Sequence, residues 1–358
     1  MIHGLLLCSV LLALLIRNRG KQIQMLPFVL LFFIAALRYM YGNDYSSYYS
    51  WHRYIQAGGK SPYDEVLFTL LNQITPHFYI LIALTSFIFV LAVYRLMMDN
   101  LPQEWLAAGV FIFVINPYLY LMNLSALRQC LAMVMFMAAV PLAMNKKPVR
   151  YVLCILVGAM MHKSAVLLLP VYFFANTKQV KKRFVLLAVA GLFLAMFVFD
   201  IRELVVQLAG QFDDANYIAH VQSETGNSVR ATVLSGLYLV YVLGNLPKLE
   251  GKALVYSKLY LLGTILAVLA FRISMLTRIQ MYFDIFSVVS LPLIMKANLD
   301  RGDILIRPRN VPATLWDLAS KYALPVLIFV VYLLRYYSFF ANPMWRHFTE
   351  YHTIFSAL

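Results

Sequence analysis

Four clusters in this chain combine residue types that can hold an anion or move a proton. The first is Asn123-Leu124-Ser125-Ala126-Leu127-Arg128-Gln129, where Arg128 is the only charge between Trp105 and Met144. An arginine in so apolar a stretch is costly, and its planar fork of donors suits phosphate or carboxylate. Asn116-Pro117 closes the preceding apolar run and Ser125 can cap the next, so Arg128 is expected in the first turn of a helix. Free backbone N–H groups and the helix dipole add to the guanidinium there, and Gln129 keeps the turn polar. A diphosphate fits that combination; the plainer reading is an interfacial arginine reaching lipid phosphate.

The second cluster is Met161-His162-Lys163-Ser164-Ala165, running into Leu169-Pro170. His162 at a helix break can exchange protons near neutral pH, and Lys163 beside it can hold phosphate. A histidine satisfied by backbone carbonyls is the competing reading. The third begins at Arg38-Tyr39-Met40-Tyr41-Gly42-Asn43-Asp44-Tyr45 and continues through Tyr48, Tyr49, Trp51 and His52. Tyr41, Tyr45, Tyr48 and His52 recur at helical spacing, an aromatic stripe that can stack on sugar rings or form a belt at the membrane surface. Asp44 is either a general base or the partner of Arg38. In the fourth, Arg272 and Arg278 lie near Gln280, Tyr282 and Asp284. Six helical residues turn through about 600°, so these arginines can embrace one bulky anion but not lie in one row. Pairing with Asp284 is the alternative.

The elements that must position these residues are membrane helices. Of the 358 residues 62% are apolar and only 13% charged, which excludes soluble readings. Apolar runs fall at about 1–16, 25–41, 78–98, 105–122, 124–144, 148–161, 164–177, 184–200, 231–247, 253–271, 273–295 and 321–340. About twelve crossings are expected, in a single all-α integral membrane domain over 1–358. The first run lacks a basic flank ahead of it and a small-residue cleavage site behind it, and is read as a retained helix. Cys8, Cys130 and Cys154 all fall in apolar runs and suggest neither disulfide nor zinc.

The net charge of +14 sorts by side rather than pointing to nucleic acid. Alternate loops collect most of the thirty basic residues, among them Arg17, Lys146, Lys147, Lys181, Lys182 and Lys248, with a cytoplasmic loop at 296–320. The basic residues left for the opposite face are mostly arginines, including Arg38, Arg128, Arg272 and Arg278. Outer loops at 42–77 and 201–230 are expected to cover an external cavity. Ile201, Leu204, Val205 and Leu208 have the spacing of a short interfacial helix. Gly-rich phosphate loops, nucleophile elbows and metal-ligand spacings are missing, and outer carboxylates are few, so neither cofactor nor metal is expected.

Taken in order, Arg38-Tyr39 with Gly42-Asn43-Asp44-Tyr45, Leu127-Arg128-Gln129-Cys130-Leu131-Ala132, His162-Lys163-Ser164-Ala165 with Leu169-Pro170, and more loosely Arg272 with Tyr282-Phe283 resemble the EpsG family. These are bacterial exopolysaccharide polymerases, a branch of the Wzy-like enzymes; the likeness is good over about 35–175 and weaker beyond. The resemblance implies a GT-C-like inner-membrane glycosyltransferase with its site facing the periplasm. Such an enzyme moves a growing glycan from undecaprenyl diphosphate to the non-reducing end of another lipid-linked repeat unit. A flippase and a chain-length regulator are its implied partners beside membrane lipid. Asp44, His162 and Arg128 are then expected to carry the chemistry, with Asp44 or His162 as base. Arg128, Arg272, Arg278, Lys163 and Gln129 would hold the diphosphate, and Tyr45, Tyr48, Tyr49, Trp51 and Arg38 the sugars. A transporter or flippase for the same lipids, a ligase, and a single-sugar transferase using a polyprenyl phosphate donor are the alternatives.

Overall fold

In a computed structural model, the chain is described over residues 1–20, 22–177, 229–272, 275–301 and 313–357, with scattered positions between 183 and 194. The expected interfacial helix at 201–208, most of the run 184–200, and the centre of the loop 296–320 lie outside the described residues. What is described is almost wholly helical, as an apolar chain in a bilayer must be to satisfy its backbone. Among the described residues, four helices are long and apolar enough to cross a membrane: Phe78–Met98, Leu127–Met144, Val229–Lys248 and Gly251–Leu269. A fifth crossing arises if the pair Leu276–Asp284 and Ser287–Asp300, bent by 54°, is one broken span.

The expectation of about twelve crossings, and the GT-C-like fold implied with it, is therefore corrected. Five further apolar helices among the described residues run only 10–17 residues, short of the roughly 20 that a hydrocarbon core demands, while the apolar stretch Val326–Ala341 ends the longer helix Ala313–Ala341. Apolar length overstated helix length because turns fall inside the runs. The run 105–122 ends its helix at Ile115, where Asn116 turns extended, and 148–177 divides into Pro148–Ala159, a 3-10 turn Lys163–Leu168 and Val171–Asn176.

The described residues group into two compact units, Met1–Tyr172 with Leu291–Leu358, and Phe173–Ser290. In the first, α1 (Ile2–Leu15) packs on α2 (Leu26–Ala36), and α2 on the long α5 (Phe78–Met98). Between them come α3 (Tyr45–Gln56) and α4 (Val66–Ile74). Then follow α6 (Leu106–Ile115), the short α7 (Leu121–Ser125), α8 (Leu127–Met144) and α9 (Pro148–Ala159). Tyr45, Tyr48, Phe68, Phe78, Leu81, Ile82, Leu127 and Leu131 close one core where α3, α4, α5 and α8 meet. In the second unit Lys258 is fully buried, and its Nζ donates to the carbonyls of Phe174, Ala175 and Thr177 at 2.6–3.0 Å, capping the end of a helix.

Arg38 holds the first unit's turn together. It is fully buried, with Nη1 donating to the Ala35 carbonyl and to Ser86 Oγ at 2.9 Å, and Nη2 to the Leu124 carbonyl at 3.0 Å. Full burial argues against its expected sugar contact, although Nε has no partner, and Asp44 does not partner it in these bonds. The two-residue strand β1 (Arg38–Tyr39) pairs antiparallel with β2 (His352–Thr353). The segment after Asn342 straps over the same turn. Tyr41 Oη donates to the Phe348 carbonyl, the Gly42 N–H to the His347 carbonyl and Tyr351 Oη to the Ile34 carbonyl, at 2.7–3.1 Å.

Gly42 adopts φ +105°, and a Cβ there would stand 3.3 Å from Ser125 Oγ. Both the left-handed backbone and the close approach require glycine. Gly42→Ala is expected to destabilise the protein by about 1–3 kcal/mol, read as a lower thermal unfolding midpoint in detergent.

Candidate functional site

Three helix starts, far apart in sequence, converge on one carboxylate. Glu65 stands at the N-cap of α4, Arg128 in the first turn of α8, and His162 at the N-cap of the 3-10 turn Lys163–Leu168. Backbone links fix their approach. The Leu67 N–H donates to the Met160 carbonyl at 3.1 Å, tying the start of α4 to the end of α9, and the His162 N–H donates to the Gly158 carbonyl at 2.9 Å. Gly158 lets α9 come close to α8, since a Cβ there would meet Met135 Cβ at 3.2 Å. Ser61, Thr69 and the Tyr63 backbone bond to one another and pin the loop ahead of Glu65.

Arg128 Nη1 lies 3.2 Å from Glu65 Oε1 and 3.0 Å from Oε2, and His162 Nδ1 lies 3.3 Å from Oε1. The Glu65 side chain is 5% exposed and that of Arg128 30%. The guanidinium stands over the Tyr63 ring at 4.7 Å and close enough to Tyr48 for their charges to act on each other, while Nε is buried without a partner. Next along both strands of sequence, Lys163 Nζ reaches Asp64 Oδ2 at 2.6 Å, an exposed pair of small energetic weight. Burial alone would raise the Glu65 carboxyl. The His162 hydrogen bond and the Arg128 charge outweigh it and hold the group at about 2, so it is ionised at neutral pH.

Of the sequence-derived residues, the structure thus brings together Arg128, His162, Lys163 and Tyr48. Asp44 is exposed at the edge of the cluster, close enough for its charge to act on Tyr48 and Tyr63. Its backbone N–H donates to Ser125 Oγ at 2.9 Å. Ser125 therefore ends α7 and is not the expected cap of α8, whose N-cap is Ala126. Gln129 is buried. The stripe Tyr41, Tyr45, Tyr48 and His52 turns inward, which corrects the expected sugar stacking of Tyr45, 3% exposed and set edge-on to Phe78. Tyr48 is a wall of the site, and Tyr49 and Trp51 keep open surface. Arg272 and Arg278 are exposed residues of the second unit, where Asp284 is buried and accepts from Gln280 Nε2 at 2.6 Å.

Glu65 was missed by sequence reasoning, which named Asp44 as the candidate acid of the loop 42–77. The available signal was the adjacent pair Asp64-Glu65, complementary to the adjacent bases His162-Lys163. Chemically, the arrangement offers a cation with spare donors beside an imidazole whose one nitrogen is already engaged. It can bind an anion and accept a proton.

Because the Glu65 carboxyl lies below its ordinary value of 4.5 in the folded protein, the stability it contributes is complete above that pH and is lost as pH falls toward about 2. The difference in unfolding midpoint between wild type and Glu65→Gln should be constant near neutrality and shrink across that acid interval, as followed by intrinsic fluorescence in detergent.

No curated protein and no solved structure matches the chain. The model of the EpsG family matches residues 23–306, a stretch that carries Arg38, Glu65, Arg128, His162 and Arg272 and reaches into both compact units. With that match over most of its length, this multi-pass helical membrane protein belongs to the EpsG family.

Proposed function

We propose that the chain polymerises lipid-linked oligosaccharide, transferring a growing glycan from undecaprenyl diphosphate to the non-reducing end of another lipid-linked repeat at the periplasmic face of the bacterial inner membrane. Family membership supports a polysaccharide polymerase-type glycosyltransferase, and the sorting of basic residues supports the orientation. One observation carries the choice of site: Arg128 and His162, an anion-binding cation and a proton-exchanging ring, meet at the buried carboxylate of Glu65.

In this reading the acceptor hydroxyl oxygen attacks the anomeric carbon of the donor, and the bond from that carbon to the diphosphate oxygen breaks with its electron pair. The hydroxyl proton passes to His162, with Asp44 as the second candidate. Charge gathers on the leaving diphosphate, where Arg128 can meet it through the donors that Glu65 does not occupy, with Lys163 adding a second cation. Tyr49 and Trp51 offer flat apolar faces to sugar rings. Arg272 and Arg278 carry a separate expectation of anion contact in their own unit. A flippase supplying the lipid-linked repeats and a regulator of chain length would complete the process.

Arg128→Ala and Arg128→Lys, inserted normally in cells lacking the native chain, should both shorten the polymer ladder on gels. The lysine variant is included because a point charge does not replace a planar fork. Full-length polymer from both would refute the role of Arg128. Purified protein supplied with lipid-linked repeats should lengthen the glycan in steps. A transporter would lengthen nothing, and a ligase or single-sugar transferase would make one addition.

A further inference from the structure

Glu65 is a costly residue in its present position. An ionised carboxylate only 5% exposed is tolerated where its charge is met on all sides, and here both oxygens are engaged by Arg128 while Oε1 also meets His162. An Arg128–Glu65 pair would be complete without the histidine. The imidazole is brought to it by backbone bonds, from Leu67 to Met160 and from His162 to Gly158, so the meeting is built into the packing of α4 and α9 and does not depend on two side chains finding each other.

A carboxylate can only accept. The ring atom facing it must therefore be Nδ1–H, which leaves Nε2 of the neutral ring with its lone pair. A third group that fixes the imidazole in this way also stabilises the imidazolium once a proton is taken. Arg128, on the other side of the carboxylate, keeps Glu65 ionised so that it does not hold the proton itself. The other charged and titratable groups facing this cluster are Asp44 and Tyr48 from the α3 side, Tyr63 and Asp64 ahead of α4, and Lys163 beside the histidine.

We infer that Glu65 is a positioning residue that selects the Nδ1-protonated tautomer of His162 and aims Nε2 as the acceptor of the sugar hydroxyl's proton. The inference deepens the polymerase reading and rests on it for the identity of the proton donor, but its structural half stands apart and can be tested without turnover.

The full-length protein, labelled with nitrogen-15 histidine in lipid nanodiscs, gives the first readout. Its His162 resonances are identified by their loss in His162→Gln. The neutral ring should carry its proton on Nδ1 in wild type and in Glu65→Asp, and should shift toward the Nε2-protonated form in Glu65→Leu, which removes the acceptor altogether. The second readout is elongation of lipid-linked repeat units extracted from cells that lack this chain. Glu65→Gln should lower turnover by about 100-fold or more, with KM within about threefold, and Glu65→Asp should recover part of the loss. A wild-type His162 protonated on Nε2 overturns the inference whatever the variants do, and so does a tautomer unchanged in folded Glu65→Leu. A correct tautomer in a protein that never elongates glycan would leave the positioning intact and refute the polymerase reading instead.

Discussion

The buried carboxylate of Glu65 is the interaction on which the arrangement of the first unit's polar cluster depends. It joins segments 63 and 97 residues away in sequence, and it does so from the cap of a short helix whose own first turn is tied to α9. Removing a charge from water costs several kcal/mol, and losing one member of such a buried set costs about 3–5 kcal/mol because the remaining charge is stranded. Tyr48 and Tyr63 are also members of, or packed against, the core shared by α3, α4, α5 and α8. The cluster is therefore continuous with the packing beneath it.

Helix electrostatics make the same point from the other direction. Arg128 and His162 both sit at helix starts, the positive ends, where a cation is disfavoured by about 0.3–1 kcal/mol. Glu65 at the cap of α4 is favoured by a similar amount. These terms are small beside the direct ion contacts, so the contacts decide the geometry. Their sign still matters, because an anion arriving at Arg128 meets the guanidinium and a helix start together.

The sequence made Arg128, His162 and Lys163 legible because a lone charge in an apolar run and a polar break between two runs are local signals. Glu65 was not legible, since spacing rules report partners three or four positions apart and say nothing about a partner on another helix. The stripe Tyr41, Tyr45, Tyr48 and His52 was visible as a period but not as a direction: the same spacing serves a ligand face or a core face, and here it serves the core. Helical character was correctly read from composition. The number of crossings was not, because hydropathy is blind to where a turn such as Asn116 or the His162 break divides an apolar run.

Arg38 and Arg128 show how one residue type takes opposite parts within a single unit. The acceptors of Arg38 are carbonyls and a hydroxyl, enclosed on every side, and exchanging any of them for a ligand would strand a buried polar group. Arg128 instead leans on a carboxylate and keeps an exposed edge. A phosphate can join or replace a carboxylate at a guanidinium without changing the kind of bond made. The two are also linked: Arg38 holds the Leu124 carbonyl, Ser125 receives the Asp44 N–H, and α8 begins at Leu127. The buried arginine thus fixes the turn from which the half-exposed one is presented, which is why its own inability to bind a ligand does not make it irrelevant to the site.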